Sequence, residues 1–418
     1  MSVVAVVGVQ WGDEGKGKIV ELLAGEDALI AQYAGGYSAG QSLVAEGERL
    51  VFHAVPSEAL SRGHSVLLAQ GMALDPRLIL DELGVLEQHH AQKGELFVDQ
   101  RAQVVLPHHI ELDRLRGEEE GASGTPRRGI GPAYGDRVGR TGVRIGDLLF
   151  PDALPALIER SIQAARPALA ALGGEVPDVT ALVDAYASAG EKLRPRIVDG
   201  SRRIAERAKN GQPVVLEGPF GTMVDLDHGY YPYVVSASTV VGGACAGTGI
   251  SPSLVERVVG VAKAYTTRSG SGPLPSELTG EIAKALQDQG GEISPTTAQP
   301  RRCGMFDVPV LRYAARVNGM HAVALTKLDV LTGLESIPMC VGYELDGVEQ
   351  DEPPFEGQGR MKPIVEQLPG WTESLGDCRG WDELPANARA YVETIEKKSG
   401  VPVTMVGVGK DRAQTIHR

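Results

Sequence analysis

Near its start the chain sets two acids and two lysines among glycines, in Gly8-Val-Gln-Trp-Gly-Asp-Glu-Gly-Lys-Gly-Lys18. Glycines lack a Cβ and let backbone N–H groups approach a ligand, and N–H groups left free at a helix N-terminus cradle phosphate oxygens. Lys16 adds positive charge for the same task. The loop is not a strict G-x4-G-K-[ST] phosphate motif, because the spacing fails and Gly17 follows Lys16 where Ser or Thr should sit. The acids Asp13 and Glu14 are harder to place. A carboxylate beside phosphate is repulsive unless it ligates a cation or takes a proton, so Asp13 is expected to do one or both. Taken alone, the Gly-Lys-Gly-Lys run would also suit a charged turn.

A second chemical signal is Thr326-Lys-Leu-Asp329, directly after the apolar run 322–325. The aspartate can accept hydrogen bonds from the N1–H and exocyclic amine that guanine has and adenine lacks, while the lysine stem lies along the ring. G-domain proteins read guanine with this [NT]-K-x-D pattern. Four residues recur by chance, but a strand end in a chain that also carries a phosphate loop strengthens the reading. Gly35-Gly-Tyr-Ser-Ala-Gly-Gln-Ser42 is another glycine-rich loop suited to close backbone approach. The Asp225, Asp227 and His228 cluster would suit a metal, although His228 reads better as a loop anchor through hydrogen bonds.

These residues need strands and helices to hold them. An apolar run over 3–9, the glycine loop and then 19–24 read as strand, phosphate loop and helix. Further strands are expected at 51–54, 66–69, 213–216, 258–266, 322–325 and 401–406, and helices at 76–88 and 385–399. Residues 154–208 read as largely helical with a break at 173–176, inside a helical insertion over 151–211. The apolar-poor stretch 117–136 reads as a long loop, which in a compact domain is functional or mobile. With 418 residues and 42% hydrophobic content the chain has ample core for two or three domains, or for one large α/β domain with insertions. A net charge of −13 argues against duplex nucleic acid as a partner. No stretch approaches the ~18 apolar residues of a membrane span, and no basic region precedes the first apolar run as in a secretory signal. The four cysteines are scattered with no CxxC, which argues against a zinc site and for a reducing cytoplasm.

Six stretches together resemble one family along the whole chain: Trp11-Gly-Asp-Glu-Gly-Lys-Gly-Lys18, Gly129-Ile-Gly-Pro-Ala-Tyr134, Leu226-Asp-His-Gly229, Lys263-Ala-Tyr-Thr-Thr-Arg268, Arg301-Arg-Cys-Gly304 and Leu325-Thr-Lys-Leu-Asp-Val330. The chain is similar to the adenylosuccinate synthetases, GTP-dependent ligases that join L-aspartate to IMP. The resemblance implies a single domain over 1–418, a mostly parallel central sheet flanked by helices, a cytoplasmic homodimer and a Mg²⁺ ion among the phosphates. It implies that Asp13 takes the purine N1 proton and sits on Mg²⁺ with the Gly40 carbonyl, while Lys16 holds phosphate. Gly12, Glu14, Gly15, Gly17, Lys18, Gly40, Gln41, Ser42 and Arg301 would line GTP, and Lys327, Leu328, Asp329, Gly407, Val408 and Gly409 would frame its guanine. Asp13, Ser38, Thr125, Pro126, Phe220, Val235, Thr296, Thr297 and Gln299 fall at acceptor and amine positions. Arg140 matches an arginine that reaches the neighbouring subunit's site.

The departures from the family's pattern are not scattered. G-G-[NH]-N-A-G-H-T is here Gly35-Gly-Tyr-Ser-Ala-Gly-Gln-Ser42, so Ser38 replaces an asparagine and Gln41 the catalytic histidine. Pro126 and Val235 stand where two phosphate-binding threonines are expected, Phe220 where a glutamine is, and Gln299 where an arginine touches aspartate and ribose. Nearly every GTP-side residue is kept and nearly every IMP-side residue has changed. Pro126 and Val235 cannot donate side-chain hydrogen bonds, and each missing charge-assisted bond costs on the order of 1.5–3 kcal/mol. Arg127, without a counterpart in most of the pattern, is a candidate compensation. Gln41 can still donate to a phosphoryl group but cannot act as an acid near neutral pH. The chain thus reads as an active GTP-dependent ligase, acting either on IMP and L-aspartate or on another carbonyl acceptor or amine, and the losses tilt the reading towards the second. A GTP-binding protein without turnover is a third reading, opposed by the retained Asp13 and Lys16.

Overall fold

A computed structural model describes residues 3–25, 27–37, 41–45, 47–119, 127–293 and 299–418. Ten strands form its central sheet: β1 Val3–Gly8, β2 Leu29–Gln32, β3 Ser65–Leu68, β4 Leu96–Asp99, β5 Ile197–Val198, β6 Val214–Glu217, β7 Arg257–Lys263, β8 Ala322–Thr326, β9 Val403–Gly407 and β10 Thr415–His417. Across the sheet they run β5-β4-β3-β2-β6-β1-β7-β8-β9-β10, all parallel except β10, which pairs antiparallel with β9. Parallel strands covered on both faces read as unbroken apolar runs, and β1 behaves so. Its Val4 and Val6 enter one buried cluster and Val3, Ala5 and Val7 another on the opposite face. The expected mostly parallel sheet flanked by helices is therefore present.

The helices are α1 Lys16–Ala24, α2 Pro76–Gln88, α3 Pro107–Glu119, α4 Ile130–Gly139, α5 Leu154–Ala171, α6 Val179–Leu193, α7 Gly200–Lys209, α8 Val308–Asn318 and α9 Ala386–Ser399, with shorter ones between. Ile19 and Val20 of α1 pack on one face of the sheet and Ile204 of α7 on the other. Asp75 caps α2 by accepting the Arg77 N–H at 3.0 Å, as its position before a proline-led helix suggests.

Three expectations are corrected. The stretch 117–136 is not one loop, because α3 runs to Glu119 and α4 starts at Ile130. Glycines at 131 and 135 lower its helical signal, but Ala133 is fully buried and the Asp113 carboxylate fastens Gly129 N–H at the helix start. The segment 258–266 is two strands. The chain leaves the sheet after Lys263, where Lys263 and Tyr265 both bond Glu292, and Thr266–Arg268 pairs antiparallel with Arg302–Gly304. The strand read at 51–54 is Glu48–Phe52, which pairs with Gln41–Ala45 outside the central sheet. Within 151–211, α5, α6 and α7 are joined by the strand β5, which extends the main sheet.

Candidate active site

The glycine loop turns between β1 and α1 through positive φ at Gly12 (97°), Asp13 (59°) and Gly15 (83°), the left-handed backbone that glycine adopts readily. Glu14, one of the two puzzling acids, faces the protein. Its buried carboxylate accepts the Gln10 and Gly12 N–H groups at 3.0 and 2.9 Å and pairs with Lys16 Nζ at 2.7 Å. Lys16 also donates to the Phe220 carbonyl. Glu14 is thus an internal brace of the loop, and it holds the lysine at the mouth of the phosphate cradle. Asp13 points the other way: its side chain is 48% exposed and Oδ2 lies 2.9 Å from Arg301 Nε.

Neighbouring strand ends are stitched to this loop. Thr326 Oγ1 at the end of β8 donates to the Glu14 carbonyl at 2.6 Å. Gln10, buried, donates to the Lys263 and Tyr265 carbonyls at 3.1 Å and accepts the Lys263 N–H. A side chain at Gly8 would meet the Phe220 carbonyl at 2.1 Å, so only glycine allows that approach. Sequence reasoning passed over Gln10, whose one signal is a lone amide ending an apolar run.

After β8, Lys327 (φ 58°) opens a turn over Leu328–Leu331 that carries Asp329, the residue expected to read guanine. Asp329 Oδ1 is buried with no hydrogen-bond partner among the described residues, and burial pushes its carboxyl above the usual range. A buried acceptor left open is costly unless a ligand fills it, and the two donors on guanine's edge suit a carboxylate there. Lys18 donates to the Gly409 and Gln414 carbonyls at 2.9 and 3.2 Å, so it ties the loop Gly407–Gly409 to α1. Leu328 and Val408 are fully buried beside this loop and strand end.

Glu292 joins the two ends. Its Oε1 accepts from Lys263 Nζ (3.1 Å), Tyr265 Oη (2.6 Å) and Lys327 Nζ (2.6 Å), and its Oε2 from Arg301 Nη1 (2.9 Å). Burial alone would raise its carboxyl, but Lys263 and Lys327 outweigh burial and hold it down to about 2. Burial in turn lowers the fully buried Lys263 to about 8, against the pull of Glu292.

The acceptor-side residues are held differently. Arg140 (φ 63°) ends α4 and is exposed, and the helix end beneath it is fixed by Asp136, which bonds His109 Nε2 at 3.1 Å and Thr141 Oγ1 at 2.9 Å. Gln299 is exposed, Val235 packs against an apolar cluster, and Phe220 adopts φ 52°. Asp225 accepts the N–H groups of Asp227 and His228 and the Ser238 hydroxyl. It is the anchor of that loop, and the His228 side chain is exposed. Ser38, Gly40, Thr125, Pro126, Thr296 and Thr297 lie outside the described residues, as do the side chains of Gln41 and Ser42. His108, His109 and Asp136 offer ligand atoms within 4.8 Å of one another. His109 Nδ1 and Nε2 are already committed to Leu106 N–H and Asp136, and Ser161 bridges Asp136 to His108 Nε2 at 2.9 Å, which leaves His108 Nδ1 as the one ring nitrogen of the pair without a partner among the described residues.

A glycine loop at the end of β1, an open buried carboxylate just after β8, two strands away in the sheet, and a half-exposed acid in the loop are the arrangement expected of a nucleotide-dependent phosphoryl-transferring enzyme. A sequence model described as adenylosuccinate synthetase matches residues 5–416. Adenylosuccinate synthetase of Sorangium cellulosum (strain So ce56) is 44% identical over 423 residues, covering 100% of this chain and 99% of its own. That of Anaeromyxobacter sp. (strain Fw109-5) is 44% identical over 420 residues, covering 99% and 97%. The solved structure of fully ligated adenylosuccinate synthetase from Plasmodium falciparum superimposes with a TM-score of 0.90 at 33% identity, with complete coverage of both chains. The chain belongs to the adenylosuccinate synthetase family. It is a GTP-dependent ligase that forms a C–N bond between IMP and L-aspartate and uses Mg²⁺, and nothing in its relatives favours the other acceptor or the loss of turnover. No described helix is long and apolar enough to cross a membrane.

Proposed function

We propose that the reaction divides between two sets of side chains in this chain. Asp13 accepts the N1 proton of IMP, and the purine oxygen so activated attacks the γ-phosphorus of GTP with departure of GDP. The amine of L-aspartate then forms its bond to the same ring carbon as phosphate leaves. Asp329 and Lys327 select guanine, Gly407, Val408 and Gly409 frame it, and the loop N–H groups with Lys16 and Arg301 hold the phosphates. Gln41 supplies a neutral hydrogen bond to the transferring phosphoryl group where the family pattern has histidine. Arg140 reaches the second subunit's nucleotide, which makes the homodimer part of the site.

The half-exposed Asp13 carboxylate is a hard oxygen donor that suits Mg²⁺, with the Gly40 carbonyl as a second ligand. When bound, the ion neutralises charge on the phosphates. The observation that carries the reading is the buried, unpartnered Asp329 Oδ1 beside a strand end already bonded to the phosphate loop. We assign the protein to the cytoplasm, where its nucleotides are and where four buried free thiols persist. The test is purified protein with GTP, Mg²⁺, IMP and L-aspartate, which should give the absorbance change of adenylosuccinate. ATP in place of GTP should give little. Absence of product at millimolar IMP would overturn the reading.

A further inference from the structure

Glu292 is fully buried and is the shared acceptor for groups from both ends of the nucleotide site. Oε1 takes Lys327, next to the guanine-reading Asp329, and Oε2 takes Arg301, whose Nε lies 2.9 Å from Asp13. Among the described residues it is also the one carboxylate paired with the buried Lys263. Backbone bonds already close its loop without the side chain, since Glu292 N–H donates to the Gln287 carbonyl and Arg301 N–H to the Glu292 carbonyl. A buried ion network is weak evidence for stability, because desolvation offsets its attraction. Its members do fix one another's geometry.

We propose that Glu292 is a positioning residue that couples guanine recognition to the placement of Asp13, through Lys327 on one oxygen and Arg301 on the other. This rests on the roles given above to Asp13, Lys327 and Asp329. A disturbance at the guanine end is then felt in kcat as well as in the KM for GTP. Without the Glu292 charge, Arg301 is released to pair more fully with Asp13, which hinders the acid from meeting the acceptor.

The experiment uses the full chain with Lys327→Met, Arg301→Lys and the pair, each made with Glu292 intact and with Glu292→Gln. Glu292→Gln alone should lower kcat about 100-fold, the scale of losing one preorganised group, while the KM for GTP rises less. Glu292→Asp should recover part of the loss. With Glu292 intact, the Lys327 and Arg301 changes should be non-additive by about fivefold or more, and with Glu292→Gln they should become additive. Equal non-additivity in both backgrounds would mean that the nucleotide carries the coupling, and would overturn the proposal. So would a Glu292→Gln protein with lowered Tm and unchanged kcat. If Glu292→Gln does not fold, Glu292→Gln with Lys263→Met leaves no unpaired buried lysine and serves as the same background. If the wild-type chain makes no adenylosuccinate, the functional reading fails separately, and the same cycle read in GTP affinity by calorimetry still decides the coupling.

Discussion

The proposed guanine end and the proposed acceptor end of the site are held in unlike ways. At the guanine end, buried side chains bond across neighbouring strand ends: Gln10 to the end of β7, Thr326 to the Glu14 carbonyl, and Glu292 to Lys263, Lys327 and Arg301. At the acceptor end, Arg140 and Gln299 are exposed, Val235 makes apolar contacts, and Phe220 meets Lys16 through its carbonyl rather than its ring. In a bonded network each substitution strands a partner, whereas an exposed position changes at little cost to the fold. The departures at Val235 and Gln299 fall where the fold tolerates them. Family membership and a changed acceptor side are therefore compatible, and the change bears on affinity for IMP and aspartate before it bears on the reaction type.

That contrast can be broken by substitution. The largest effect is expected from Asp13→Asn, which should lower kcat by ~10²–10⁴, the usual worth of a positioned general base, while GTP still binds by calorimetry. Undiminished turnover would remove the acid from the mechanism. Asp329→Asn should raise the KM for GTP by roughly 10–100-fold, the value of a charge-assisted hydrogen bond. It should also improve use of xanthosine triphosphate, whose ring carries a carbonyl where guanine carries the amine. A variant that kept its preference for GTP would show that guanine is read elsewhere.

At the acceptor end the sign reverses, because substitution towards the family pattern should help. Gln299→Arg restores a charged fork and should lower the KM for aspartate or IMP about tenfold, and Val235→Thr should lower that for IMP by less. Values that stay the same or rise would mean that other residues, Arg127 among them, already do this work.

A further effect, on stability rather than turnover, concerns two buried carboxylates with opposite trends. Asp307 caps α8 and accepts the Tyr343 hydroxyl, and burial pushes it up to about 6 from an ordinary 3.8. The folded state therefore holds its proton longer, so its contribution is complete below about pH 4 and is lost as pH rises through 6. Glu292, held to about 2, contributes fully above 4.5 and loses its part as pH falls through 2. Asp307→Asn should raise stability at pH 7 relative to pH 4 by on the order of 2 kcal/mol, read by denaturant unfolding at the two pH values. A difference of zero would mean that burial does not raise the Asp307 carboxyl in the folded protein.

Much of this was legible in residue order. The strand, loop and helix over the first 24 residues, the helix at 76–88 and the strand before Thr326 follow from apolar runs and caps, which act over a few residues. The Thr326-Lys-Leu-Asp329 motif carries its chemistry in its own side chains. The loop expected at 117–136 was misjudged because α4 depends on distant partners, such as the Gly71 carbonyl that accepts from Tyr134 and Arg137.

Local pattern could point to a phosphate loop and a guanine-reading motif, because both need only a short stretch of backbone and one or two side chains. It singled out Asp13 but could not show that Asp13 faces Arg301 or that Glu14 is braced inside the loop. Nor could it show that Lys18 grips a carbonyl 391 residues away, or that Glu292 unites Lys263, Lys327 and Arg301. Those assignments depend on which strand ends the sheet brings side by side. Hydrogen bonds reach about 3 Å, so only the folded chain decides which charges find each other.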